Sequence, residues 1–137
     1  MTPKKEGSGF LLDTDFLIDL NRGKRNNLRA KAEKLLLKIN PEDLFVSSVV
    51  VTEFMTGIQH PIQDAVEKMI WELYFYLSPT FEESVLAGRL RQEWLSKGYT
   101  LAISDVTNAA LAISRNLALV TRNLSHYPFQ QLVIESW

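Results

Sequence analysis

The sequence predicts an α/β domain: a short, mainly parallel central sheet flanked by helices. Three observations lead there. Short apolar runs recur at residues 10–12, 44–46, 74–77, 117–120 and 132–134. They lack polar alternation, which suits strands buried on both faces. Helix-length amphipathic stretches separate them, and strands alternating with helices imply crossovers between parallel neighbours. No repeat, low-complexity tract or linker interrupts the 137 residues, a length that favours one domain. Residues 1–9, polar and glycine-containing, are expected to form a flexible lead-in, with a single domain over residues 10–137.

Each element has a local reason. After the first strand, Phe16, Leu17 and Leu20 stand at helical spacing, and Asn21-Arg22-Gly23 ends that helix. Residues 24–39 carry Leu28, Leu35, Leu36 and Ile39 as an apolar stripe among good helix formers. Asn40-Pro41 stops them. Ser47 or Ser48 caps the helix after the second strand. In it Val50, Val51, Phe54, Met55 and Ile58 face inward, and Glu53 stands near the polar border. Gly57 and His60-Pro61 close it. Residues 62–73 turn Val66, Met69, Ile70 and Leu73 inward. Thr80 caps a long helix reaching Gly98, with Leu86, Leu90, Trp94 and Leu95 as its stripe. Ser104 or Asp105 is expected to cap the last helix, which runs to about Asn116.

Composition narrows the function. The chain has no cysteine, so a disulfide framework and a thiolate metal site are excluded. No apolar run approaches the roughly 20 residues that span a bilayer, and the N-terminus lacks a signal-peptide core. A cytoplasmic location is expected. The net charge of −1 does not mark the whole molecule as a nucleic-acid binder. Locally, Arg22, Lys24, Arg25, Arg29, Lys31, Lys34 and Lys38 crowd one segment with Glu33 as the only acid. That is either a solvated helix face or a landing strip for phosphates or an acidic partner.

Three remote carboxylates carry the chemical interest. Asp13 ends the first strand, Glu53 lies shortly after the second, and Asp105 opens the last helix. In parallel sheets, ligands gather beyond the carboxyl ends of the strands, where all three can meet. Each also has an ordinary reading, Asp13 and Asp105 as helix caps and Glu53 as an exposed residue. Acids packed together resist ionisation unless a cation joins them, and oxygen ligands suit a hard divalent ion. Asp15 can reach the same rim, whereas Asp19 is expected to be exposed. Asn123 offers an amide oxygen, or is a turn residue. His60 reads as structural and His126 as a surface residue. No serine shows a His/Asp relay.

Four blocks in order resemble the PIN-domain family, most of all the VapC-type toxins of bacterial type II toxin–antitoxin pairs. They are the segment from Leu11 through Asp13-Thr14-Asp15 to Ile18; Val46-Ser47 through Glu53 to Ile58; Ile103-Ser104-Asp105 with Asn108-Ala109-Ala110-Leu111-Ala112; and Leu119-Val120-Thr121-Arg122-Asn123 with His126-Tyr127. The closing residues 132–137 also resemble such toxins. The resemblance implies a PIN-like three-layer α/β/α sandwich and an endoribonuclease dependent on Mg2+ or Mn2+. Asp13, Glu53 and Asp105 would be its metal-binding, catalytic acids, with Asp15 as a further ligand. Thr14, Thr121, Arg122, Asn123, Arg22, Lys24 and Arg25 would be its RNA contacts. It implies a homodimer and a VapB-like antitoxin whose C-terminal segment lies over the site, in a groove supplied by residues 14–39 and 47–73. One departure stands out. Many PIN domains place a further acid just after the Thr of the fourth block, where Asn123 stands nearby; this weakens the case for two tightly held metals, and Asp15 offers a substitute. The same departure supports an alternative, a PIN-like binding module without useful catalysis that acts through a partner protein.

Overall fold

The computed structural model describes residues 9–39 and 44–137. Most of the expected lead-in and the Asn40-Pro41 helix stop lie outside the described residues.

Five strands, β1 (Phe10–Leu12), β2 (Leu44–Ser47), β3 (Phe75–Leu77), β4 (Ala118–Val120) and β5 (Ile134–Glu135), form one sheet in the order β3-β2-β1-β4-β5. Every pairing is parallel, with Leu11 opposite both Phe45 and Leu119. The chain builds outward from β1 on one side, then crosses to β4 on the other. That reversal leaves a crevice between the carboxyl ends of β1 and β4, the place where such sheets bind ligands.

Among the described residues, six α-helices form: α1 (Thr14–Leu20), α2 (Asn27–Leu36), α3 (Ser48–Thr56), α4 (Gln63–Leu73), α5 (Phe81–Ser96) and α6 (Ile103–Ser114). Alternate strand residues feed two separate cores. Leu12, Val46 and Val120 pack with Phe16, Leu35, Val50, Phe54 and Ile70 of α1 to α4. Leu11, Phe45 and Leu119 pack with Ala87, Leu90, Val106 and Leu111 of α5 and α6. The expected three layers are therefore present, with helices on both faces of the sheet.

Caps explain the helix starts. Ser47 caps α3 as expected, its hydroxyl accepting from Val50 N. Thr80 and Glu83 form a reciprocal capping box on α5. Two starts differ from expectation. Residues 24–26 do not join α2, because Asn26 caps it by accepting from Leu28 N and Arg29 N. Neither Ser104 nor Asp105 caps α6; the cap position is Ala102, and Asp105 sits inside the first turn. An acid there still suits the helix dipole, and its carboxylate is left to face the crevice. The last strand begins two residues later than the apolar run suggests, since Leu132 N closes a turn onto Phe129 O.

Candidate metal centre

β1 and the start of α1 deliver the central acid. Asp13 caps α1, its Oδ1 accepting from Thr14 N at 2.8 Å. Its other oxygen faces the crevice and meets two hydroxyls, Thr121 Oγ1 at 2.9 Å and Tyr127 Oη at 2.8 Å. The cap reading and the site reading of Asp13 thus hold together, one oxygen for each.

The same two hydroxyls reach further acids. Tyr127 Oη lies 3.2 Å from Asp105 Oδ1, and Thr121 Oγ1 lies 3.3 Å from Asp15 Oδ2. Glu53 joins from α3, accepting from the Thr14 hydroxyl at 3.1 Å. Asp13, Asp15, Glu53 and Asp105 therefore share one crevice, tied by Thr14, Thr121 and Tyr127. Each hydroxyl has a single proton to give. Thr121 and Tyr127 each touch two carboxylates, so one acid oxygen at each goes without a shared proton. Asp15 Oδ1 is also buried with no hydrogen-bond partner.

The charges register this crowding. Burial, then the charge of Asp13, lifts the Asp15 carboxyl from 3.8 to about 6, against the Arg122 backbone N–H that favours its anion. Burial and Asp13 also raise Asp105, opposed by His126 and Tyr127. Glu53 is raised by desolvation and by Asp13 and Asp105, with the Thr14 hydroxyl pulling the other way. Among the described residues, no group of three or more His, Cys, Asp or Glu side chains is placed to hold a metal ion by itself. Magnesium does not need one, since it keeps several waters and takes one or two carboxylates directly. An all-oxygen donor set, an orphaned buried carboxylate oxygen and the raised carboxyls of Asp15, Glu53 and Asp105 fit a hard divalent cation.

The other expected residues divide. Arg122 donates its backbone N–H to Asp15 Oδ2 at 3.0 Å, and Asn123 N donates to Thr121 Oγ1 at 3.2 Å. Their side chains are not both free for a substrate: the Arg122 guanidinium binds Asp19 Oδ2 at 2.8 Å. Arg22 binds the same acid at 2.7 Å. Lys24 and Arg25 sit in the exposed turn before α2, beyond the far end of α1, about 10 Å along the helix from Asp13. Asp19 itself corrects the expectation of an exposed acid. It is fully buried and accepts from Arg22, Arg122 and Trp137 Nε1. Against its burial, these donors hold its carboxyl below the usual range. His126 is exposed as expected, yet its Nδ1 lies 3.3 Å from Asp105 Oδ2.

Sequence reasoning missed Tyr127. The available signal was a tyrosine inside a rim block, since a buried phenol has to find a partner. Asn108, buried on α6, takes a hydrogen bond from Ser47 at 2.6 Å and so ties the start of α3 to the helix bearing Asp105.

A model of the PIN domain matches residues 10–129. The chain belongs to the PIN-domain family. No curated protein matches this PIN domain by sequence. Among solved structures, the DNA-bound VapBC from Salmonella typhimurium shares 26% identity at TM-score 0.77, covering 94% of this chain and 98% of that one. A toxin–antitoxin complex from Klebsiella pneumoniae shares 26% at TM-score 0.72, covering 92% and 96%. VapC20 of Mycobacterium tuberculosis, a toxin that cleaves the sarcin–ricin loop, shares the fold at 17% identity and TM-score 0.67, covering 91% and 99%. The four resembling blocks thus lie in a chain whose structural neighbours include VapC toxins.

Proposed function

We propose that this PIN domain is a VapC-like toxin, an endoribonuclease that hydrolyses RNA phosphodiesters with Mg2+ or Mn2+. The observation that carries the reading is the convergence of Asp13, Asp15, Glu53 and Asp105, bridged by Thr121 and Tyr127, at the crevice between β1 and β4. Asp13, Glu53 and Asp105 are the residues that would hold the ion, with Asp15 beside them in place of the acid that Asn123 replaces. When bound, the ion neutralises phosphate charge and makes a water more acidic.

The chain's own residues do the rest. Asp13 holds its position through the α1 cap, so its crevice-facing oxygen is aimed by the backbone. Tyr127 keeps Asp13 and Asp105 at a fixed separation. Thr14 orients Glu53, the most exposed of the four acids. His126 holds Asp105 from the solvent side, where it also faces incoming RNA. The Asp19–Arg122 pair secures the backbone that donates to Asp15.

The partner assignment is part of the same reading. A VapB-like antitoxin silences the enzyme by laying its C-terminal segment over the crevice, and two copies of the chain pair as a homodimer. The structural likeness to VapBC complexes supports the antitoxin partner. No helix is long and apolar enough to cross a membrane among the described residues.

The test is cleavage of structured RNA by the chain purified free of any partner. Cleavage should require Mg2+ or Mn2+, stop with EDTA, and disappear in Asp13→Ala, Glu53→Ala and Asp105→Ala. Unimpaired cleavage by all three variants would refute the site.

A further inference from the structure

α5 and α6 pack antiparallel. At one end Glu83, in the first turn of α5, pairs with Arg115 just past α6. At the other, Arg91 Nε of α5 donates to Leu101 O, just before α6 begins. The end of α5 therefore lies beside the start of α6, at the rim that carries Asp105. A cleft of about 310 Å3 opens there, lined by Glu93, Trp94, Lys97, Phe129, Gln130 and Gln131. Its second wall is the segment that directly follows Tyr127, whose hydroxyl touches Asp13 and Asp105. The acid crevice and the cleft are thus neighbours along the same loop.

The lining has a particular chemistry. Trp94 stands edge-on to Phe129 (centroids 6.4 Å apart) and to Tyr99 (5.8 Å). The half-exposed Lys97 ammonium rests 4.4 Å from the centre of the Trp94 ring and 3.6 Å from Glu93 Oε1. Gln130 and Gln131, both exposed, each present a carbonyl acceptor and an amide donor. An aromatic face under a movable cation, rimmed by amides, matches a planar base attached to a phosphate. Stacking on an aromatic ring suits any base, and amides read base edges.

We propose that this cleft is a nucleobase subsite, which takes one unpaired base of the RNA flanking the scissile phosphate. The base stacks on Trp94 and displaces the Lys97 ammonium from the ring toward the adjoining phosphate. Gln130 and Gln131 bond the base edge and contribute to sequence preference. The proposal rests on the ribonuclease reading, but it concerns binding rather than the metal.

The experiment separates the two. The full chain in EDTA is titrated with each of the four nucleoside 5′-monophosphates, with tryptophan fluorescence as the readout. Saturable quenching is expected, preserved in Trp71→Phe and Trp137→Phe and lost in Trp94→Phe. Gln130→Ala with Gln131→Ala, both at exposed positions, should weaken the apparent affinity for the preferred base roughly tenfold. In RNA cleavage the same double variant should raise KM with kcat little changed. Absence of quenching, or quenching that survives Trp94→Phe, overturns the subsite even if RNA is cleaved. Quenching through Trp94 without metal-dependent cleavage would uphold the subsite and reject the nuclease reading instead.

Discussion

Replacing Asp15 by Asn tests the electrostatics of the crevice in isolation. In the folded protein its carboxyl titrates near 6 rather than 3.8, so folding disfavours its charge. At about 1.4 kcal/mol per pH unit, the ionised form opposes folding by up to ~3 kcal/mol. The sign follows from proton counting. Between pH 3.8 and about 6 the native state binds more protons at this site than the unfolded chain, so wild-type stability falls as pH rises through that window. Asp15→Asn keeps an oxygen to accept from Thr121 and Arg122 N. It puts an amide where Oδ1 has no partner, a fixed penalty of about 1–3 kcal/mol if left unpaired. The absolute difference at one pH mixes these two effects. The pH dependence does not, because the amide does not titrate. Urea unfolding in EDTA should show the variant gaining on wild type by up to ~3 kcal/mol from pH 4 to pH 6.5, with the gap flat above. Parallel profiles across that range would refute the claim that Asp15 is held unwillingly charged.

Further perturbations carry their own signs. Glu83→Gln breaks the two-pronged contact with Arg115, at 2.8 and 2.9 Å, that holds the Glu83 carboxyl at about 2 against an ordinary 4.5. It should remove ~3 kcal/mol at pH 7. Since this pKa is depressed, the wild-type advantage should be complete above pH 4.5 and fade as pH falls toward 2, as read by denaturant melts. Thr80→Ala removes the capping-box hydroxyl and should destabilise by ~1 kcal/mol at all pH values where the fold survives. Tyr127→Phe leaves Asp13 without one of its two hydroxyl donors, so stability should drop by about 1–2 kcal/mol. Its RNA cleavage should fall in kcat more than in KM, since Tyr127 spaces the acids and is too buried to bind substrate.

The architecture was readable because two-sided burial leaves a plain mark: apolar triplets such as Phe10-Leu11-Leu12 between helical stretches. The order of strands was not readable, since nothing in a triplet says which neighbour it pairs with. The acids of the crevice were visible as strand-end and helix-start positions, yet their convergence became visible only with the crossover from β3 to β4. The cap of α6 was misplaced at Ser104 or Asp105, because a local signal, Ser104-Asp105 before an apolar run, is the same whether the acid faces its own backbone or a crevice. Asp19 was misread for a different reason. A helix position three residues before Arg22 looks solvated until Arg122 and Trp137, more than a hundred residues on, close over it. Such long-range ion pairs leave no periodic trace.

Calorimetric titration of the metal-free chain with Mn2+ addresses the central claim most directly. Wild type should bind with a measurable heat that vanishes in Asp13→Asn combined with Asp105→Asn, while Glu83→Gln, remote from the crevice, binds like wild type. Equal Mn2+ binding by the wild type and the Asp13/Asp105 double variant would contradict the assignment of these carboxylates as the seat of a divalent ion.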